Sequence, residues 1–139
     1  WNKAKALSVS KRVMFLGYVS HADLPQYLYI SDIFVRPSLS EGMGNSFIEA
    51  MAAGVPTIGT PVGGIPDFLI DPSTTLGKVT PTGLMCKPEN PKSIAENVER
   101  YMRDDAMRLR IVANARAMVK EKYEWSMVAG DMQKLFERL

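Results

Sequence analysis

The sequence predicts an α/β fold, with a Rossmann-like parallel sheet, flanking helices and a helical C-terminal tail. Over about residues 1–90, short apolar or β-branched runs alternate with helical segments. The strand-like runs are apolar throughout, which is typical of strands that helices cover on both faces. After Pro91 only helical spacing remains. We therefore expect a single domain over residues 1–139, with its sheet part in about 1–90 and its helical tail in about 91–139.

Four strands are predicted from the apolar runs. Gly17 ends the first strand and Pro37 stops the second, while Pro56 stands at the edge of the third, where proline is tolerated. The predicted strands cover residues 12–16, 32–35, 57–59 and 83–86.

Helices are predicted between these strands and throughout the tail. Pro25 suits the first turn of a helix over residues 23–30, and Gly54 is the expected C-terminal glycine of a helix over 47–53. A short helical turn is expected near residues 66–70. In the tail, helical spacing relates three groups of apolar residues: Ile94, Val98 and Met102; Leu109, Val112, Ala115 and Val119; and Met127, Met132 and Phe136.

Composition and charge narrow the class of protein. A length of 139 residues with 46% hydrophobic residues supports one core. The net charge of +2 and the scattered basic residues argue against nucleic acid as a partner. Cys86 is the only cysteine, so no intrachain disulfide forms and a reducing, cytoplasmic location is expected. There is no apolar run of membrane-spanning length and no secretory signal.

The loop over residues 37–46 is the strongest candidate for a ligand site. It follows a predicted strand, and ligands of open parallel sheets lie beyond the carboxyl ends of the strands. Gly42 and Gly44 let the backbone approach a ligand closely, and the helix behind them offers unpaired N–H groups to a phosphate. A Gly-x-Gly pattern alone fits an unliganded tight turn equally well.

Glu49 strengthens the case for a ligand. It lies one turn into the predicted helix, near Asn45, Ala52 and Ala53, which are small or polar. A carboxylate there has room for a ligand, and its two oxygens suit the vicinal hydroxyls of a ribose or hexose. A solvated helical glutamate remains the alternative that periodicity does not separate.

Residues 41–56, EGMGNSFIEAMAAGVP, resemble the signature of group 1 (family 4-like) retaining glycosyltransferases. That signature has two glutamates, a Gly-aromatic-Gly turn and a helix with the pattern Glu-Ala-Met-Ala-x-Gly-x-Pro. Residues 60–67, TPVGGIPD, resemble the next loop of the family, and residues 13–18, VMFLGY, its strand-Gly-Tyr element. Trp125 at the start of the last helix fits as well. The resemblance covers nearly the whole chain and implies the C-terminal, donor-binding domain of a GT-B enzyme.

The resemblance also implies a role for each matching residue. Glu41 would bind hydroxyls of the transferred sugar and hold it over the diphosphate. Glu49 would bind the ribose hydroxyls, and Ser46 would assist with the phosphate. The remaining contacts are implied for the backbone, to the distal phosphate at Gly42, Met43, Gly44 and Asn45 and to the base around Gly17, Tyr18 and Val19.

The sequence departs from the family pattern in two ways. Met43 stands where the family usually has an aromatic residue, a mild change because methionine also fills an apolar slot. The family's Arg–Lys pair, its first strand and its acceptor-binding half are expected to precede Trp1 in a longer parent. From this we expect weak donor binding and no turnover by the chain alone, and self-association through the face that the missing strand would leave exposed.

The intact parent is expected to transfer a sugar from a nucleotide-diphosphate sugar to an acceptor glycan, lipid or small molecule, with retention. No metal or other cofactor is expected, because no His/Cys/Asp cluster has ligand spacing. A peripheral association of the parent with a membrane is left open. The alternatives are a sugar-nucleotide epimerase on the same fold and a non-catalytic sugar-nucleotide-binding module. For His21 a surface or capping role is favoured, and for Cys86 a buried thiol.

Overall fold

The computed structural model describes residues 1–74 and 79–138. Its sheet has three parallel strands in the order β1-β2-β3, with Val35 opposite Ile58 and Ile58 opposite Leu84. The strands are β1 (Phe34–Arg36), β2 (Thr57–Gly59) and β3 (Leu84–Met85). The helices are α1 (Asn2–Ala6), α2 (Leu24–Tyr29), α3 (Asn45–Ala53), α4 (Pro91–Arg103), α5 (Asp105–Lys122) and α6 (Trp125–Phe136), with 3₁₀ turns at Ser10–Arg12 and Ile65–Asp67.

The predicted fold class is confirmed, and local chemistry accounts for the element ends. Gly54 ends α3 in the left-handed conformation, with φ 82°, which glycine adopts without a steric penalty. At the start of α4, the side chain of Asn90 accepts a hydrogen bond of 3.0 Å from the backbone N–H of Ser93. The tail is helical from Pro91 onward, as the spacing predicts.

Helices cover the sheet on both faces. Ile58 and Leu84 pack with Tyr101 of α4 in one core cluster. On the other side, Phe47 of α3 approaches Gly59 so closely that a Cβ on Gly59 would lie 2.7 Å from its ring. The α5 helix reaches both clusters, through Ile111 in the first and through Ala115 and Val119 in the second. This packing fixes α3, and therefore the loop that precedes it, against the sheet.

The strand predicted over residues 12–16 is wrong. Arg12 ends a 3₁₀ turn, and residues 13–16 have no regular structure and are exposed, with Met14 at 81%. A strand requires a neighbouring backbone to complete its hydrogen bonds, and none of β1 to β3 pairs with this segment. Phe15 instead packs edge-on against Trp1, with 5.7 Å between the ring centroids. An apolar run alone does not specify a strand when no pairing partner is present.

The buried faces of the tail helices agree only in part with the predicted spacing: Ala115 and Val119 are buried, and Ile94 and Val98 pack against a core cluster, as expected. Met102 and Leu109 are exposed, while their neighbours Tyr101 and Ile111 are fully buried. No described residue of α6 is buried, so Met127, Met132 and Phe136 face solvent. Tyr101 is buried because its large ring fills the space below Ile58 and its hydroxyl finds a partner in the sheet. Simple apolar periodicity does not detect such a tyrosine.

Candidate functional site

The candidate site lies at the carboxyl ends of β1 and β2, where two loops pack backbone against backbone. The loop over residues 37–44 follows β1, and the loop over 60–64 follows β2. The N–H of Gly64 donates to the carbonyl oxygen of Gly42 over 2.9 Å. Gly63 has φ +55°, and a Cβ there would lie 1.9 Å from the carbonyl oxygen of Glu41. The two glycines therefore allow a contact that no larger residue permits, and this contact fixes the first loop in place.

The N-terminus of α3 opens directly behind this contact. Gly44 precedes the helix with φ 77°, and no side chain caps it. Met43 and Asn45 are exposed on either side of Gly44, which is itself buried. A helix start without a side-chain cap presents backbone N–H groups, and these suit an anion such as a phosphate.

Glu41 is nearly buried and firmly held. Its side chain is 10% exposed, and its Oε1 lies 2.7 Å from Nε of Arg36. The hydroxyl of Ser38 donates to the same oxygen over 2.7 Å. Nη1 of Arg36 also donates to Oγ of Ser46 over 2.6 Å, so one guanidinium joins Glu41 to the first turn of α3. A charge-assisted arrangement of this kind is stronger than neutral hydrogen bonds and orients the carboxylate.

A buried threonine supports this group from below. Thr60 is fully buried, and its hydroxyl donates to the carbonyl oxygen of Ser38. Ser38 is thus fixed through its backbone while its own hydroxyl holds Glu41. Since Thr60 directly follows β2, the second strand contributes to the orientation of a side chain carried by the first loop.

Glu49 borders three cavities, of which the two smaller ones adjoin α2 and the loop over residues 37–44. One cavity, of about 270 Å³, is bordered by Glu49, Ala52, Ala53 and α2, and it includes His21. Nδ1 of His21 lies 3.7 Å from Oε1 of Glu49, and the side chains are 90% and 36% exposed. The expected small neighbours therefore do leave space beside this carboxylate. His21 lies on the surface but faces the glutamate.

The second cavity connects Glu49 with the loop. It has a volume of about 410 Å³ and lies between α3 and the start of α6. Met43, Asn45 and Glu49 contribute to it from one side and Tyr123, Trp125 and Val128 from the other. The structure thus brings three predicted site residues to one concave surface with an aromatic wall. Such a mixture of apolar surface and a few polar groups is typical of small-molecule sites.

Gly17, Tyr18 and Val19 lie in an irregular segment that leads toward Glu49. Gly17 has φ 70°, and the side chain of Tyr18 is 92% exposed. His21 follows Val19 by two residues and faces Glu49. His21 of this segment borders the cavity of about 270 Å³, whereas Gly17, Tyr18 and Val19 do not border it.

The sequence analysis missed Arg36, Ser38 and Thr60. Arg36 is the last residue of β1, directly before Pro37. Ligands bind beyond the carboxyl ends of parallel strands, so a cationic side chain at the end of a predicted strand is itself a sequence signal for a site residue. The contacts of Ser38 and Thr60 depend on how two loops pack together, which no sequence spacing reveals.

Other features of the chain bear on the class of protein. Cys86 is buried and donates to the carbonyl oxygen of Gly59, and burial raises the pKa of its thiol, so it is a packed side chain. In residues 1–74 and 79–138, no three His, Cys, Asp or Glu side chains are grouped as metal ligands would be. The helices of the described ranges are all too short or too polar to cross a bilayer.

Fold and site together define a Rossmann-like α/β domain of the GT-B type, whose candidate site lies on two loops that follow parallel strands. Residues 2–118 match the family model described as glycosyl transferases group 1. The chain belongs to the group 1 glycosyltransferase family, so the predicted resemblance is confirmed.

Similar proteins agree with this assignment. The chain is 35% identical, over 94% of its length, to an uncharacterized glycosyltransferase of Methanocaldococcus jannaschii, of which it covers 32%. It is 30% identical, again over 94% of its length, to the 2-deoxystreptamine glucosyltransferase of Streptomyces kanamyceticus, of which it also covers 32%. The chain spans about a third of the length of these relatives.

Solved structures confirm the fold. Sucrose-phosphate synthase from Thermosynechococcus elongatus superposes with a TM-score of 0.85 and 28% identity, covering 99% of this chain and 32% of that one. The HepE protein of Anabaena, solved with UDP-glucose, has a TM-score of 0.84 at 22% identity, covering 99% of this chain and 35% of that one. At that identity the second likeness concerns the fold alone.

Proposed function

We propose that this chain is the donor-binding domain of a retaining glycosyltransferase whose donor is a nucleotide-diphosphate sugar. The observation that carries the proposal is the Glu41 carboxylate, held by Arg36 and Ser38 beside the uncapped N-terminus of α3. This arrangement offers an acceptor for sugar hydroxyls next to donors for a phosphate. A relative named as a glucosyltransferase and, through the shared fold, the Anabaena structure with UDP-glucose support a donor of this class.

The proposed roles are those that the resemblance to the family signature implies. Glu41 binds hydroxyls of the transferred sugar, and backbone N–H groups of Gly42, Met43, Gly44 and Asn45 bind the distal phosphate, with Ser46 assisting. Glu49 binds the ribose hydroxyls at the edge of the cavities of about 270 Å³ and 410 Å³. The backbone around Gly17, Tyr18 and Val19 contacts the base.

The chemical contribution of this domain is electrostatic. As the sugar leaves with oxocarbenium character, negative charge grows on the diphosphate, and preorganised N–H groups stabilise it. A helix N-terminus contributes about 1 kcal/mol to such charge. In this scheme neither Glu41 nor Glu49 transfers a proton.

The rest of the proposal concerns the longer protein. An N-terminal half would bind the acceptor, a glycan, lipid or small molecule, and would complete the active site. We further propose a cytoplasmic enzyme that needs no metal. If the enzyme needs no metal, it should keep full activity in the presence of a chelator.

The test of the proposed function is a binding and transfer experiment on the protein with its complete chain. UDP, GDP and ADP and their common sugar conjugates are titrated by calorimetry, and one base is expected to bind. Transfer with that donor should then release the nucleoside diphosphate, and NMR of the product should show the donor's anomeric configuration. Binding of no member of the panel would contradict the proposal. Isomerised sugar nucleotide formed without an acceptor would indicate an epimerase instead.

A further inference from the structure

We infer that Arg36 is the positioning residue that fixes the Glu41 carboxylate for recognition of the donor sugar. The inference rests on the proposed function, in which Glu41 binds hydroxyls of the transferred sugar. Its basis is the pair of contacts that one guanidinium makes, to Glu41 over 2.7 Å and to Ser46 over 2.6 Å.

The carboxylate of Glu41 is oriented by two donors on a single oxygen. Nε of Arg36 and the hydroxyl of Ser38 both meet Oε1. An ionised carboxylate has about four acceptor positions, so two donors leave capacity for ligand hydroxyls. Because the side chain is only 10% exposed, water does little of this orienting.

Arg36 itself is anchored at both ends. Its backbone belongs to β1, where it lies opposite Gly59 of β2, and its Nη1 donates to Ser46 in the first turn of α3. A planar guanidinium held at Nε and Nη1 has little rotational freedom. It therefore fixes the Glu41 carboxylate relative to the sheet and to α3.

The contacts also indicate which ligand Arg36 affects. Its charge is opposed by Glu41 at 2.7 Å, so it adds little net attraction for a diphosphate. Its loss would leave Glu41 with the hydroxyl donor of Ser38, and the carboxylate would no longer have a fixed orientation. We therefore expect Arg36 to matter for the sugar and much less for the nucleoside diphosphate.

The test is calorimetric titration of the complete protein with the base that it binds, both as the free nucleoside diphosphate and as the hexose conjugate. Arg36→Gln is expected to weaken the conjugate about tenfold, roughly the loss of one hydrogen bond to a charged group, and the free diphosphate less than about twofold. Arg36→Lys should restore part of the affinity for the conjugate, because an ammonium keeps the charge but loses the fork geometry. Arg103→Gln is the matched control, because among the described residues Arg103 pairs with Glu99 alone, over 3.0 Å on the exposed face of α4.

A double-variant cycle separates positioning from a general structural effect. In a Glu41→Gln background, Arg36→Gln should cost little further affinity for the conjugate, since the group that it positions has already changed. Additive losses in the double variant, or equal losses for both ligands with Arg36→Gln alone, would overturn the inference. Failure of the proposed function looks different, because the wild-type protein would then bind neither ligand.

Discussion

Gly63 lies against the backbone of Glu41, and the two loops of the site meet at this contact. A Cβ on Gly63 would fall 1.9 Å from the carbonyl oxygen of Glu41 and 3.2 Å from that of Gly42. The left-handed φ of +55° makes any side chain unfavourable there as well. The close contact places the loop after β2 directly under the residues proposed to bind the donor.

Gly63→Ala is expected to destabilise the fold by more than about 2 kcal/mol, because the added methyl group meets rigid backbone rather than a movable side chain. Urea unfolding monitored by circular dichroism measures the change. Gly130→Ala is the matched control, since Gly130 lies in α6 with open space around it. That change should stabilise the helix by up to about 1 kcal/mol. Equal stability of the Gly63 variant and the wild type would show that the loops do not pack as described.

Gly42→Ala separates binding from folding. Among the described residues, apart from its neighbours in the chain, no atom lies within 4 Å of a Cβ built on Gly42, and its φ is not left-handed. The variant should therefore keep wild-type stability to within about 0.5 kcal/mol. If a phosphate approaches this backbone, the methyl group should weaken nucleoside diphosphate binding about tenfold or more. Calorimetric titration with UDP, GDP and ADP measures this affinity. Unchanged affinity would remove Gly42 from the phosphate site.

Tyr101 is expected to link stability to alkaline pH. Its ring is fully buried, and its hydroxyl donates to the carbonyl oxygen of Thr57 over 3.1 Å. Burial, and secondarily the charge of Asp71, raise the pKa of Tyr101 above its ordinary value of 10.0. The folded state therefore holds this proton more tightly than the unfolded state. The resulting stability is complete below about pH 10 and is lost as the pH rises further.

Tyr101→Phe should cost about 1 kcal/mol near neutral pH, because the Thr57 carbonyl loses a partner. It should also flatten the fall in stability above about pH 10. Urea midpoints from pH 8 to pH 11 measure both effects, with Tyr29→Phe as the control because that ring is 73% exposed. A slope identical to that of the wild type would contradict the role of Tyr101.

Thr57 and Thr60 form a matched pair of buried threonines. Within the described ranges, Oγ1 of Thr57 is buried without a hydrogen-bond partner, whereas the hydroxyl of Thr60 donates to Ser38. Thr57→Val should therefore be neutral or stabilising by up to about 1 kcal/mol, and Thr60→Val destabilising by about 1–2 kcal/mol. Thermal unfolding of the two variants gives the comparison. Equal losses would mean that the Thr57 hydroxyl does have a partner.

Much of the fold can be predicted from the sequence, and the errors have physical causes. The α3 helix, its glycine end and β2 follow from local signals, namely apolar spacing, Gly54 and Pro56. The segment over residues 13–16 has the apolar pattern of a strand, but strand formation depends on a neighbour that local sequence does not provide. Periodicity also placed Met102 on the buried face of α4 and missed Tyr101, because it gives no weight to a tyrosine; Ile94 and Val98 do pack against the core.

The site shows the same limit. Glu41 and Glu49 are identifiable from a specific motif. In the structure, Arg36 joins Glu41 to the first turn of α3, and Glu49 borders a cavity beside the same helix. Arg36 lies five residues before Glu41, and its contact with Ser46 requires the strand, the loop and the helix to be assembled. Motifs record residue types along the chain, whereas positioning contacts depend on tertiary packing.

The most direct test of the proposed donor site compares two ligands on two variants of the complete protein. Affinities for the preferred nucleoside diphosphate and for its hexose conjugate are measured by calorimetry for Glu41→Ala and Glu49→Ala. Because ribose is common to both ligands, Glu49→Ala should weaken both alike, whereas Glu41→Ala should weaken only the conjugate, by about tenfold or more. Equal losses for both ligands with Glu41→Ala would contradict the assignment of Glu41 to the sugar.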